Sequence, residues 1–536
     1  MKDVKTLLLE LVSVPSISES PTEGDMAHKV LELVREDPYF ADHPDHCGLW
    51  DGGDRLGRKV AWALKKGSGP RTVLFSGHYD TVDYKSYGAF APLALQPGAL
   101  RAAMLENPPD DAGIRRDLHN PNWMFGRGCA DMKAGLALNI NALYGYQPGD
   151  INVLITAVSD EENLSAGARQ AVGLYEELAE RFGLEYVIAI ESEPSNRDAD
   201  GDSPHEFIHG AAGKILPVVV AKGIPAHSSN MLSGVNSAHL MARIIQNTEY
   251  DCAFVDRGGD VFTEPPAVQL VRDMKQGYDV SMPEYTACAF NMIFFEADPM
   301  AMMARLLENC RAAARDLLTA YNACMDSMVA AGQIDSTRRK GFDIPVCSLM
   351  ELELRLQEKP GFEAFRAEAR ACSARLVESG ETMQWASICY IRDMMAFSGN
   401  AGPMVVAGIA PPYYPAIHTD MLSKSIDPII AHAAAALGEK SIRTRRLEYS
   451  QAMMDLSYKS CPGPESAAQV MENIPLPRTL YDMDVAAMAR INIPTLVVGP
   501  ARKEIHQIGE RVYLPDVTDT LPVIFQQVID SVAAVV

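Results

Sequence analysis

RTVLFSGHYDTVD, Arg71–Asp83, sets an apolar, β-branched run against a glycine and then places a histidine and an aspartate two residues apart. Such a run reads as a strand buried on both faces, the kind found in parallel sheets covered by helices. In open α/β sheets ligands collect beyond the carboxyl ends of the strands, so His78 and Asp80 stand where a site is expected. The same grammar recurs along the chain. DINVLITAVSD runs into Asp160, Glu161 and Glu162, and EYVIAIESEP runs into Glu191 and Glu193. Much later, IPTLVVGP is followed by ARKEIHQIGE, which carries His506. Between these runs, MKAGLALNINALYGY and LSAGARQAVGLYEELAERFG have helical spacing, the second closed by Gly183. The expected fold class is α/β, with a mainly parallel mixed sheet flanked by helices.

A chain of 536 residues exceeds what one hydrophobic core normally organises, so two domains are expected. The late return of the strand-then-polar pattern implies that one domain is split by an insertion. We assign 1–210 and 416–536 to a catalytic domain and 211–415 to an inserted α+β domain. Within the insert, AGKILPVVVAKGIPAHSS reads as strand and turn, NSAHLMARIIQN as helix and EYTACAFNMIFFE as strand. A long helix follows from about Met300 to Met325, then helix-like EKPGFEAFRAEARACSARLVESG and strand-like GPMVVAGIAPPYYP.

Composition excludes several function classes. The formal net charge of −22 repels phosphate backbones and anionic lipid headgroups, so neither nucleic acid nor a membrane surface is an expected partner. No run approaches the roughly 20 apolar residues that span a bilayer. The opening MKDVKTLLLELVSVPS is interrupted by Glu10 and reads as an amphipathic helix rather than an export signal. Ten cysteines without CxxC pairs read as reduced thiols, and a soluble cytoplasmic protein is expected.

Two histidines, several carboxylates and no paired cysteines describe a nitrogen and oxygen donor set that suits Zn²⁺, Mn²⁺ or Co²⁺. A single catalytic zinc needs three protein ligands and a water, and this chain supplies more, which suggests two ions about 3.5–4 Å apart. The attacking water needs a proton acceptor. If Glu161 and Glu162 leave a strand end in alternating directions, one binds metal while the other faces the water. Singly, each feature has a plainer reading: tandem glutamates are commonly solvated, and the glycines of GRGCADMKAG do not form a phosphate-binding spacing.

Taken in order, GHYDTVD, GRGCADMKAG, SDEEN, ESEP and EIHQIGE, together with GIPAHSS, resemble the co-catalytic dizinc aminoacylase and carboxypeptidase metallopeptidase family, which includes acetylornithine deacetylase and glutamate carboxypeptidase. The resemblance implies that His78, Asp131 and Glu193 hold one divalent ion and Asp131, Glu162 and His506 the other, with Asp131 as the bridge. The ions implied are Zn²⁺, with Co²⁺ or Mn²⁺ as alternatives. It further implies Glu161 as general base, Asp80 as the carboxylate orienting His78, and a cis peptide after Asp131. His227 matches the insert histidine that in relatives reaches the partner subunit's site, which implies a homodimer formed through a lid-like inserted domain. Glu191 ranks below Glu193, which directly precedes Pro194; Cys129 reads as a small buried thiol and His418 as a loop residue.

The sequence also departs from that family. A long connection between Asp83 and Gly126 is expected to overhang the site. CAFNMIFFE lacks the arginine that many relatives use for a substrate carboxylate, leaving Asn291 there, and MMDLSYKS stands where a Gly-Thr-Asp-Ala motif is common. Extra helical sequence enlarges the insert around Arg338–Gly399. With APPYYP, these departures resemble the RocB-like, arginine-utilisation branch. The expected function is metal-dependent hydrolysis of an amide bond in a peptide or N-acyl amino acid, within arginine or amino-acid catabolism. A dipeptidase or aminopeptidase, and a catalytically inactive binding protein on the same fold, are the alternatives; retention of Glu161 favours an enzyme.

Overall fold

The run Arg71–His78 is a strand buried at every position after the first. The structure, a computed structural model, describes residues 1–199 and 203–535. The chain divides into two compact units, one comprising Met1–Ala211, Ile417–Pro462 and Met483–Val536, the other Ala212–Ala416 and Gly463–Asp482.

In the first unit an eight-stranded mixed sheet runs, edge to edge, Cys47–Trp50, Val60–Lys65, Asn152–Val158, Arg71–His78, Glu185–Glu191, Thr495–Val497, His205–Ile208 and Thr444–Leu447. The four strands from Asn152–Val158 to Thr495–Val497 are mutually parallel. Three of the sequence-predicted ligand segments follow directly from their carboxyl ends, as the apolar runs foretold. The helix Lys133–Gly145 is buried along almost its whole length, which explains why its sequence lacks a polar face. Val4–Val12 buries Leu7, Leu8 and Leu11, so the N-terminal apolar stretch is a core helix. Gly183 ends Ala166–Phe182 in the left-handed conformation, φ 63°, where a side chain would be strained.

The second unit is built on a five-stranded sheet in the order Ala267–Asp273, Tyr285–Phe294, Gly213–Lys222, Met404–Tyr414 and Val346–Ser348. Only its last pair is parallel. The long helix is Pro299–Ala330, and the enlargement consists of Leu349–Leu356, Phe362–Glu378 and Met383–Phe397. The sequence reading kept 416–536 in one piece with the first unit; the structure assigns Gly463–Asp482 to the second. The physical reason is local. Tyr481 donates its hydroxyl to the Tyr413 carbonyl at 3.0 Å and accepts from the Tyr413 N–H at 2.9 Å, while Ser466 donates to Asp298 at 2.5 Å.

The Asp83–Gly126 connection is folded. It carries two helices, Pro97–Glu106 and Ala112–Leu118, around a small core of Tyr87, Leu100, Met104, Ile114 and Trp123. Its strand Trp123–Phe125 pairs with Arg511–Tyr513, which in turn pairs with Arg502–Lys503. The connection therefore supports the two strands that bracket His506.

Candidate metal centre

His78 closes its strand fully buried, and its Nε2 stands 3.2 Å from Asp131 Oδ1 and 3.5 Å from Glu193 Oε1. His506 Nε2 stands 3.2 Å from Asp131 Oδ2 and 3.0 Å from Glu162 Oε2. The two oxygens of Asp131 thus face two different histidines. Four-coordinate zinc with bonds of about 2.0–2.1 Å has ligand-to-ligand edges of roughly 3.3 Å, so these separations are those of donors around ions. Glu193 Oε1 is buried without any hydrogen-bond partner, an oxygen left available for a cation. The donor set, two imidazoles and three carboxylates sharing one of them, fits a pair of divalent ions.

Backbone features aim these groups. The peptide between Asp131 and Met132 is cis. A Cβ on Gly77 would meet Met132 Cε at 2.4 Å, and one on Gly499 would meet the Glu193 carbonyl at 2.0 Å, so both glycines permit close approach to ligand-bearing backbone. Asp80 accepts from Ser18 Oγ at 2.7 Å and from the N–H groups of Glu161 and Glu162 at 3.1 and 3.2 Å. It pins the SDEEN segment as much as it faces His78, whose Nδ1 lies 3.1 Å from the Asp80 carbonyl and 3.4 Å from its carboxylate.

The alternating-strand expectation for Glu161 and Glu162 is corrected here. The strand ends at Val158, Asp160 takes φ 69°, and both glutamates lie in the turn that follows. Asp160 turns away to pair with Arg58 at 2.7 Å, and its other oxygen accepts from Ala166 N–H at 3.2 Å. The turn sends Glu162 to His506, while Glu161 Oε2 stays 3.9 Å from His78 Nε2, farther than the 3.5 Å from that nitrogen to Glu193 though still grouped with His78 and Glu193 within 4.8 Å.

Electrostatically the cluster is strongly coupled. Burial pushes the Glu161 carboxyl well above the usual range; His78 opposes this, and the negative charges of Glu193, Asp455 and Glu162 add to it. Burial likewise raises Glu193. Hydrogen bonds to Asp131 and Glu162 push His506 up to about 10. Burial disfavours charge on His78, but Glu193, Asp131, Asp80 and Glu161 outweigh it and hold the imidazole well above its ordinary value.

Two weaker candidates resolve. Glu191 is engaged by Lys459, and Cys129 directs its thiol to the Met124 carbonyl at 3.3 Å, its pKa pushed up by burial. His227 lies exposed in the second unit, its Nδ1 2.7 Å from Ser229 Oγ. Sequence reasoning missed Glu510, fully buried and paired with Arg127, with Oε1 3.4 Å from the Ala130 N–H just before Asp131. It also missed Asp455, buried beside Glu191 and Lys459, whose carboxyl burial pushes up to about 7.

Carboxylates and imidazoles grouped in this way at the ends of parallel strands are the donor arrangement of a dinuclear metal-dependent hydrolase. The model of peptidase family M20/M25/M40 matches residues 74–334, and over that stretch the chain is similar to that family. Protein RocB of Bacillus subtilis is 25% identical over 544 residues, covering 98% of this chain and 94% of RocB, and YqjN of the same organism is 28% identical over 529 residues, covering 97% and 94%. Succinyl-diaminopimelate desuccinylase of Paracoccus denitrificans is 28% identical over 267 residues, 49% of this chain and 62% of that enzyme. Among solved structures, the M20 family metallo-carboxypeptidase Sso-CP2 from Sulfolobus solfataricus superposes with TM-score 0.53 at 11% identity, covering 99% of this chain and 100% of that one. Aminopeptidase PepT from Bacillus cereus gives 0.52 at 14% identity, covering 99% and 98%. Both show the fold. Among the described residues no helix is long and apolar enough to cross a membrane.

Proposed function

We propose that this chain hydrolyses the amide bond of a small N-acyl amino acid or dipeptide, using two divalent ions, Zn²⁺ in the first instance. The observation that carries the reading is Asp131, whose two oxygens each stand 3.2 Å from a different histidine. His78, Asp131 and Glu193 would hold one ion, and Asp131, Glu162 and His506 the other. Such ions supply Lewis acidity to the scissile carbonyl and an activated water. Glu161, outside the donor set yet beside it, accepts the proton of the attacking water and returns it to the leaving amine. Asp80 holds the base-bearing turn through the Glu161 and Glu162 N–H groups and favours the His78 tautomer whose Nε2 lone pair faces the ions.

Deacylation is supported by the similarity to succinyl-diaminopimelate desuccinylase, and a role in arginine or related amino-acid catabolism by the similarity to RocB. A cytoplasmic homodimer formed through the second unit, with His227 contributing to the partner's site, completes the reading. The test is hydrolysis of a panel of N-acyl amino acids and dipeptides by metal-free protein reconstituted with Zn²⁺, Mn²⁺ or Co²⁺. Turnover that tracks the second equivalent of metal supports it; metal uptake without turnover on any substrate favours the binding-protein alternative.

A further inference from the structure

Where the chain leaves the first unit and later returns to it, Gly210–Ala211 and Ile417–His418 pair as two short antiparallel strands. His209, immediately before the outgoing strand, is 1% exposed. Its Nδ1 lies 2.8 Å from Thr419 Oγ1, and its Nε2 is buried with no hydrogen-bond partner. A ring nitrogen of His209 and one oxygen each from Asp420 and Asp427 fall within 4.8 Å of one another, and His418, Asp420 and Glu448 form an overlapping trio.

One guanidinium answers these three carboxylates. Arg446 donates to Asp420 at 2.7 Å, to Asp427 at 3.1 Å and to Glu448 at 3.0 Å, and His418 Nε2 lies 3.1 Å from Glu448. The three carboxylates carry more formal charge than the one guanidinium, although at the His209 ring itself Arg446 and His418 outweigh Asp420 and Glu448. Burial, with Arg446 and His418 near, pushes His209 down to about 4, so the ring is neutral at pH 7. In the tautomer that donates from Nδ1 to the Thr419 hydroxyl, Nε2 carries a lone pair. A lone pair and a carboxylate oxygen are both acceptors, and neither can satisfy the other. A cation satisfies both, and a neutral imidazole whose other nitrogen is fixed by a hydrogen bond is the usual form of a metal-binding histidine.

We propose that His209, Asp420 and Asp427 form a second, separate divalent-cation site at the base of the crossover, with Glu448 and His418 at its border. One imidazole and two carboxylates, completed by water, suit Zn²⁺, Mn²⁺ or Co²⁺. Asp420 and Asp427 are exposed, so the ion enters from solvent as the Arg446 side chain, 35% exposed, gives way. Bound there, it ties the outgoing segment at His209 to the returning segment at Asp420 and Asp427, reinforcing the 2.9 Å bond from Thr419 N–H to the His209 carbonyl. None of these residues belongs to the cluster around Asp131, so the site stands or falls independently of the hydrolytic reading.

The test is equilibrium dialysis of full-length protein against Zn²⁺ or Mn²⁺, with metal per chain measured for the parent, His209→Gln, Asp427→Asn and His78→Ala. The expected result is one ion fewer per chain in His209→Gln and in Asp427→Asn than in the parent, with hydrolytic turnover unchanged in both. His78→Ala should instead lose ions that the other two retain. Should His209→Gln fail to fold, Asp427→Asn, on the surface, still decides. Equal metal content in the parent and the folded crossover variants overturns the proposal.

Discussion

Glu161→Gln separates the base from the ligands more sharply than any other substitution in the cluster. Glutamine keeps the shape and the turn but cannot accept a proton at neutral pH. Glu161 Oε2 lies 3.9 Å from His78 Nε2, whereas the four close histidine–carboxylate pairs of the proposed donor set lie at 3.0–3.5 Å, so on that assignment the substitution removes no ligand. The Glu161 side chain is 14% exposed against 0% for His78 and 6% for Glu193, which makes it the more open group toward a reacting water. Loss of a positioned general base lowers kcat by about 10²–10⁴-fold, or roughly 3–5 kcal/mol of barrier. With saturating metal, two ions per chain should remain while kcat falls by that factor and KM changes little. The assay is steady-state hydrolysis of a substrate proven for the parent, with elemental analysis on the same samples. Turnover within a few-fold of the parent, at full metal content, refutes the assignment of the base; loss of metal together with turnover would make Glu161 a ligand instead.

Asp131→Ala removes the donor shared by both half-sites, so metal per chain should fall toward zero, whereas His506→Ala should retain one ion; elemental analysis of both variants checks this. Lys459→Met leaves Glu191 and Asp455 buried without their ammonium partner, and removing one member of a buried pair costs about 3–5 kcal/mol, to be read as a lower urea midpoint at unchanged slope. His209, at about 4 in the folded state against an ordinary 6.5, remains neutral where the unfolded chain takes up a proton. Stability is thus lost as pH falls from 6.5 to 4, by about 3 kcal/mol, and His209→Gln should flatten that part of the pH profile. If His227 serves the partner's site, mixing and re-annealing inactive His227→Ala and Glu161→Gln dimers should restore part of the activity; no recovery would place His227 in its own subunit's chemistry or in none.

What the sequence made legible follows from where the proposed ligands sit. His78, Glu162 and Glu193 follow buried strands whose composition announces them, and beyond the ends of parallel strands there is little else for a polar residue to do but meet its neighbours. His506 lies farther beyond its strand, Thr495–Val497, and Asp131 lies in a segment without such a strand, so that only the ordered series of motifs singled Asp131 out. The directions taken by Glu161 and Glu162 were not legible, because they depend on a turn fixed by Asp80 from a different strand and by Asp160 pairing with Arg58. Gly463–Asp482 joined the second unit through the helix Pro464–Glu472, which buries Ala467, Val470 and Met471, and through tyrosine and serine hydrogen bonds; its apolar spacing announces a helix but not which unit receives it.

The groups that escaped notice share one property: each acts through a residue distant in sequence. Glu510 braces the backbone just before Asp131 through Ala130 and Arg127, 380 and 383 positions away. Lys459 meets Glu191 across 268 positions, and His209 meets Thr419 across 210. A buried acid or imidazole is tolerated only when something satisfies it, so each such residue implies a partner that local pattern cannot name. Glu191 illustrates the consequence. Adjacent in sequence to the metal-ligand segment, it had every local qualification of a ligand, yet a lysine from a loop near the end of the chain takes it out of the donor set and leaves Glu193 to face His78. Charge allocation in this centre is therefore decided by the loop Asp455–Lys459 as much as by the strands.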